Sequence, residues 1–306
     1  MKRCRTTEAP IPGRLYDARD ERDCCGFGLI ARLDGRPERA MVDQALTALA
    51  RMAHRGGIAA DGLSGDGCGL LLKTPDAFLR ALAAESRIAL GQRYASGLVF
   101  MPHAPEIAAR VRETFAAALR ETGLAVSGWR KVPTDISVCG ALAKATIPAI
   151  EQLFVVPVLD VEGARMSREA FALALYLSRR RAEQRLRDVP ELYVVSLSAE
   201  SIGYKGMVLP QYLSQLYPDL QRPELASAAV VFYQRLSTNT SPRWPLAQPF
   251  RLLAHNGEIN TIAGNRAWAH ARAHIWHSDG LEPAEFDPPI ETRGSDSQSL
   301  DSMLEL

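Results

Sequence analysis

The chain has 306 residues, with 36 basic and 35 acidic side chains and a formal net charge of +1. That balance excludes a polyanion-binding surface built on net charge, so nucleic acid is not an expected partner. The composition, 47% hydrophobic and 23% charged, is that of an ordinary globular protein. No apolar run approaches the roughly 18 residues needed to span a bilayer, so a membrane is not expected either.

Residues 1–24 are polar, contain Arg and Pro, and show no periodicity. They lack the apolar core of a secretory signal and carry several acids, unlike a transit peptide. They read as an extension ahead of the folded part, and the protein reads as cytoplasmic. The cysteines are Cys4, Cys24, Cys25, Cys68 and Cys139. Their odd number, their scatter and the lack of a C-x-x-C pair argue against a disulfide framework and against a zinc site; no metal is expected.

After Cys25, GFGLIARL reads as a strand, followed by a turn at Asp34-Gly35. Residues 40–53 place Met41, Ala45, Leu46, Leu49 and Met52 on one helical face. The Gly/Asp-rich stretch HRGGIAADGLSGDGCG leads into a strand CGLLLK, and such a loop is either flexible or functional. Within it S-G-D-G at 64–67 lacks a following lysine at phosphate-loop spacing and reads as a structural turn. Helices are expected over PDAFLRALAAES and PEIAARVRETFAAALRET, with strands at ASGLVFM, LAVSGWRKV and EQLFVVPV. A long helix over 167–187 ends in basic residues, which suits its dipole. Its run Arg179-Arg180-Arg181 reads as a solvated face. Strands follow at LYVVSLS, IGYKGMVL, SAAVVFYQRLS and FRLLA, then a helix near 259–276. Consecutive strands favour antiparallel pairing, hence α+β rather than a pure βαβ alternation. The chain stops within the apolar-periodic segment DSMLEL without a capping signal, so a longer polypeptide is expected.

A thiol with a pKa of about 8.5 holds little thiolate at neutral pH and needs a base. If Cys25 were the first residue of a mature chain, its own α-amine, with a pKa of about 7.7–8.0, would serve. Residues 1–24 would then be a removable leader. A tetrahedral intermediate needs oxyanion donors, which Asn256 and Gly257 of His255-Asn256-Gly257-Glu258 offer. Arg235 suits a substrate carboxylate, and Asp296 an ammonium. Each has a plainer reading: a buried thiol for Cys25, a turn at Asn256-Gly257, a turn-capping arginine at 235, a helix N-cap at 296.

The motifs C-G-F-G-L-I-A at 25–31, H-R-G-G at 54–57, S-G-D-G-C-G at 64–69, Q-R-L-S-T-N-T at 234–240, R-W-P-L-A-Q-P-F-R at 243–251, H-N-G-E-I-N at 255–260 and G-S-D-S at 294–297 occur in this order. Together they resemble the class II glutamine amidotransferase domain of glutamate synthase, most of all that of bacterial large (alpha) chains. The resemblance implies a four-layer α-β-β-α fold of the N-terminal-nucleophile hydrolase type, a propeptide at 1–24 and an amidotransferase domain over 25–306. It implies Cys25 as nucleophile, Asn256 and Gly257 as oxyanion donors, Arg235 and Asp296 as ligands of L-glutamine, and Arg55 near the nucleophile. Ammonia would pass to synthase domains further along the chain. No cofactor is implied for this domain; FMN, an iron–sulfur cluster and NADPH, delivered through a small flavoprotein subunit, are implied for a complete enzyme. In relatives an aromatic follows the arginine where this chain has Leu236, and Tyr233 stands where His is usual. The other readings are a non-catalytic docking module of the same fold, or the amidotransferase half of another synthase.

Overall fold

The computed structural model describes residues 26–158, 166–238, 240–275, 290 and 294–306. It is an α+β structure with two four-stranded antiparallel sheets. The first sheet has the order β1-β8-β2-β7, formed by β1 (Phe27–Ala31), β2 (Ser64–Lys73), β7 (Ser201–Val208) and β8 (Ala229–Gln234). The second has the order β4-β5-β3-β6, formed by β3 (Ala95–Met101), β4 (Leu124–Lys131), β5 (Ala149–Pro157) and β6 (Tyr193–Val194). Every strand pair is antiparallel, as the runs of consecutive strands predict.

Alternation decides which core each residue enters. In β3, Leu98 and Phe100 join one apolar cluster while Ala95, Val99 and Met101 join the other. That is why ASGLVFM is buried at every position: the strand is covered on both faces. The second cluster is closed by α3 (Pro105–Glu121) and α5 (Arg168–Arg185), which contribute Val111, Phe115, Leu119, Phe171 and Leu175 at helical spacing. The first cluster joins both sheets to α1 (Arg39–Arg51) and α2 (Asp76–Glu85) through Val42, Leu49, Phe78 and Leu82. Ser167 caps α5 by accepting a hydrogen bond from the Ala170 N–H. The chain continues through α4 (Ala141–Ala145), α6 (Leu213–Leu216), α7 (Ile262–Arg272) and α8 (Asp296–Glu305).

Four expectations change. S-G-D-G is not a free turn; it opens β2, with a register shift between Ser64 and Cys68. Gly67 sits there at φ +128°, and a Cβ would lie 2.7 Å from that of Ala247, so only glycine fits. Of LYVVSLS only Tyr193 and Val194 pair as a strand; beyond them the Ser196 carbonyl crosses over Gly97. FRLLA forms no strand, because the N–H groups of Leu252 and Leu253 are taken by the Asp301 carboxylate instead of a neighbouring strand. Arg179 is buried, not solvated: α5 turns it toward Glu183 and toward Glu305 on α8, at 2.7 and 2.9 Å. Two carboxylates compensate the charge, as a buried guanidinium requires.

Candidate active site

Three strand ends meet at one end of the first sheet. The Gln234 N–H at the end of β8 donates to the carbonyl of Gly26, just before β1, at 2.6 Å. The Arg235 N–H donates to the carbonyl of Gly67 in β2 at 2.8 Å. The H-R-G-G turn is stitched to the same place: the Gly57 N–H donates to the Arg235 carbonyl at 3.3 Å, and the Gly57 carbonyl accepts from the Asp66 N–H at 3.1 Å. A side chain at Gly56 would overlap the Gln234 amide, and one at Gly57 would overlap the Asp66 carboxylate. The two glycines let this turn lie flat on β2 and β8, and half-buried Arg55 stands directly before them.

Arg235 is 5% exposed. Its guanidinium donates to the Asp66 carbonyl at 3.3 Å and to the Thr240 hydroxyl at 2.6 Å. Burial pushes it below the usual arginine range, while the carboxylates of Asp66 and Asp296 oppose that shift. These two bonds are the structural role the plainer reading assigns to it, and they use only part of its five-donor fork. Asp66 is the residue that sequence reasoning missed here. It is buried, and its carboxylate accepts from the Ser237 N–H at 2.5 Å, so it braces the segment after Arg235. A charged residue between two glycines within a strand is the signal that marks it.

Asn256 and Gly257 are exposed. The Asn256 side-chain oxygen lies 3.4 Å from the Tyr233 hydroxyl, which donates to it. The same oxygen stands 3.3 Å from where a Cβ on Gly26 would be. The Asn256 amide therefore lies beside the residue that immediately follows Cys25. Tyr233 supplies this contact from β8. Cys25 itself, with residues 1–24, lies outside the described residues.

Asp296 is the first residue of α8, and its neighbour Ser295 is the N-cap, accepting from the Gln298 N–H. One Asp296 oxygen accepts from the Ile259 N–H at 2.7 Å, and the other from its own neighbour's Ser297 N–H at 2.6 Å. The capping reading thus passes to Ser295, and Asp296 ties α8 to the H-N-G-E-I-N loop. The structure brings Arg55, Arg235, Asn256, Gly257 and Asp296 into one neighbourhood built from β2, β8 and that loop.

A separate groove of about 430 Å³ runs between α7 and α8, lined by Ile262, Trp268, Arg272, Leu300 and Met303 among others. None of Arg55, Asp66, Arg235, Asn256, Gly257 and Asp296 lines it. Among the described residues no group of three or more His, Cys, Asp or Glu is arranged to hold a metal, and no helix is long and apolar enough to cross a membrane.

Comparison with known proteins identifies the family. The chain is 40% identical over 306 residues to a glutamate synthase [NADPH] large chain of Azospirillum brasilense, covering 95% of this chain and 19% of that one. It is 41% identical to ferredoxin-dependent glutamate synthase 2 of Synechocystis, covering 94% and 18%, and 35% identical to a glutamate synthase [NADPH] large chain of Bacillus subtilis, covering 97% and 20%. The chain spans about a fifth of the length of these curated relatives. Residues 25–306 match the model of the family described as glutamine amidotransferases class-II. The match begins at Cys25 and takes in every candidate site residue: the chain belongs to the class-II glutamine amidotransferases.

Proposed function

We propose that this chain is the glutamine-hydrolysing part of a glutamate synthase large chain. Residues 1–24 are removed, and Cys25 becomes the first residue. Its α-amine takes the thiol proton, and the Sγ attacks the side-chain carbonyl carbon of L-glutamine. The oxyanion that forms is held by the Asn256 side-chain amide and the Gly257 N–H. The C–N bond breaks, the α-ammonium returns its proton to the leaving nitrogen, and ammonia departs. Water then hydrolyses the glutamyl thioester to glutamate. Arg235 holds the substrate carboxylate with the donors its structural bonds leave over, Asp296 holds the ammonium, and Arg55 stands near the nucleophile. The two sheets belong to a four-layer α-β-β-α arrangement of the N-terminal-nucleophile type.

The observation that carries this reading is the Asn256 amide oxygen 3.3 Å from the would-be Cβ of Gly26, the residue bonded to Cys25. An amide beside the residue bonded to Cys25 supports an oxyanion role for its Nδ2–H group. Ammonia would pass to a synthase part of the large chain, where 2-oxoglutarate is aminated and reduced with NADPH. FMN, an iron–sulfur cluster and the small flavoprotein subunit belong to that part of the reaction, and the whole is cytoplasmic.

The test is direct. Intact mass and N-terminal sequencing of the active protein are expected to give a chain beginning Cys-Gly-Phe-Gly. Cys25→Ser is expected to abolish ammonia release from glutamine while leaving the circular dichroism and Tm near wild type. Undiminished turnover by that variant would remove Cys25 as nucleophile.

A further inference from the structure

The loop that carries Asn256 and Gly257 has almost no strand or helix of its own, yet its backbone is held at several points by side chains. Gln248, 4% exposed, grips His255 from both sides: its Oε1 accepts from the His255 N–H at 2.9 Å, and its Nε2 donates to the His255 carbonyl at 3.2 Å. One amide side chain thus satisfies both backbone groups of the residue directly before Asn256, as a partner strand would.

The second set of contacts comes from α8. Ser297, Asp301 and Glu305 recur every four residues and therefore share one helical face. The Ser297 hydroxyl lies 2.9 Å from the His255 ring Nδ1. Asp301 is fully buried, and its Oδ1 accepts from the N–H groups of Leu252 and Leu253 at 2.8 and 3.2 Å. The Glu305 carboxylate accepts from the Arg251 Nε at 2.7 Å. Read down the helix, the stripe meets residues 255, 253–252 and 251 in turn. Glu305 also accepts from buried Arg179 at 2.9 Å, which anchors the stripe to α5 and the second sheet.

We propose that Gln248 and Asp301 are positioning residues that fix the loop carrying Asn256 and Gly257 in the shape its oxyanion donors need. The catalytic consequence rests on the glutaminase reading above; the structural one does not. A buried carboxylate whose oxygen is shared by two successive amides sets the direction of the backbone leading into the loop. A glutamine bracketing residue 255 sets the plane from which residues 256 and 257 project. Both side chains are buried and bonded to backbone, so their loss should leave glutamine binding almost unchanged and slow the chemical step.

The experiment compares Gln248→Ala, Asp301→Ala and Asp301→Asn with the wild-type chain. Steady-state glutamine hydrolysis is read together with hydrogen exchange at the amides of Leu252, Leu253 and His255. Gln248→Ala is expected to lower kcat about 10²-fold, the scale of losing an oxyanion donor, with KM moving less than about threefold. His255 amide exchange should accelerate by at least about tenfold in the same variant. Asp301→Asn keeps an acceptor oxygen and should recover part of the kcat lost in Asp301→Ala. Wild-type kcat in a folded Gln248→Ala protein, or a fall in kcat/KM carried by KM alone, would overturn the proposal. So would unchanged exchange at His255, a readout that stands even if the wild-type chain releases no ammonia and the glutaminase reading itself fails. If Asp301→Ala does not fold, Gln248→Ala and Asp301→Asn decide the matter.

Discussion

The half of the molecule built on β4-β5-β3-β6 and the stretch over residues 235–238 and 240–260 are held together by different physics. In the first, regular elements satisfy their own backbone, and stability comes from apolar packing such as Phe115 edge-on against Trp129 at 6.1 Å. In the second, backbone groups are satisfied by buried or half-buried polar side chains: Asp66 on Ser237, Gln248 on His255, Asp301 on Leu252 and Leu253, Asp296 on Ile259. The lesson is that exposed loop backbone such as that at Asn256 and Gly257 does not draw its support from a strand or helix of its own. It is instead irregular backbone, braced from outside.

The contrast predicts which property each change will alter. The largest effect is expected in the packed half. Phe115→Ala removes a fully buried ring and should cost about 3–5 kcal/mol in urea unfolding, with turnover per folded molecule within about twofold of wild type. A loss of turnover without a loss of stability would mean that the two regions are not separable in this way.

The braced region should answer in the opposite sense. Arg235→Lys keeps the charge and loses the fork, and is expected to raise KM for glutamine about 10²-fold, or ~2.7 kcal/mol, with a smaller change in Tm. An unchanged KM with a large fall in Tm would leave Arg235 only its structural bonds to Asp66 and Thr240. The thiols sharpen the same division. Burial pushes Cys68 far up and Cys139 up to about 11, so neither supplies thiolate near neutral pH, whatever the state of Cys25.

The smallest effect concerns a clamp outside both regions. Asp61 accepts from the Ser64 hydroxyl and from the N–H groups of Leu63, Ser64 and Leu142, led by the Ser64 hydroxyl bond, and these hold its carboxyl well below the usual range. A depressed carboxyl stabilises the fold fully above its unfolded value of about 3.9, and that stabilisation fades as pH falls toward the lower folded value. Asp61→Asn should therefore lower Tm at pH 7, and the gap to wild type should narrow as pH drops below about 4. A gap that stays constant down to pH 2 would show that the charge is not what matters.

Much of the regular half was legible. Helical spacing marks α1, α2, α3 and α5 to within a few residues, and the consecutive strands imply antiparallel sheets. Where the reading failed, a partner distant in sequence had overridden the local composition. FRLLA has the composition of a strand, but Asp301, some fifty residues away, takes the N–H groups a strand would need. Arg179 has the composition of a solvated face, but Glu305 lies opposite. S-G-D-G has the composition of a turn, but pairing with Val208 and Gly206 draws it into β2. Of the candidate site, the motifs mark Cys25, Arg55, Arg235, Asn256, Gly257 and Asp296, whereas they assign no role to Asp66, Gln248 or Asp301.

Periodicity and short motifs are local, and they determined by themselves the longer helices, most strands, the family and the candidate site residues. Which backbone groups find their partners across long separations is not local. Gln248 facing His255, Asp301 facing Leu252, and Asn256 lying beside Gly26 depend on how α8 and the strand ends come together. Only the tertiary structure decided them, because a buried polar group is stable only where the completed fold supplies its partner.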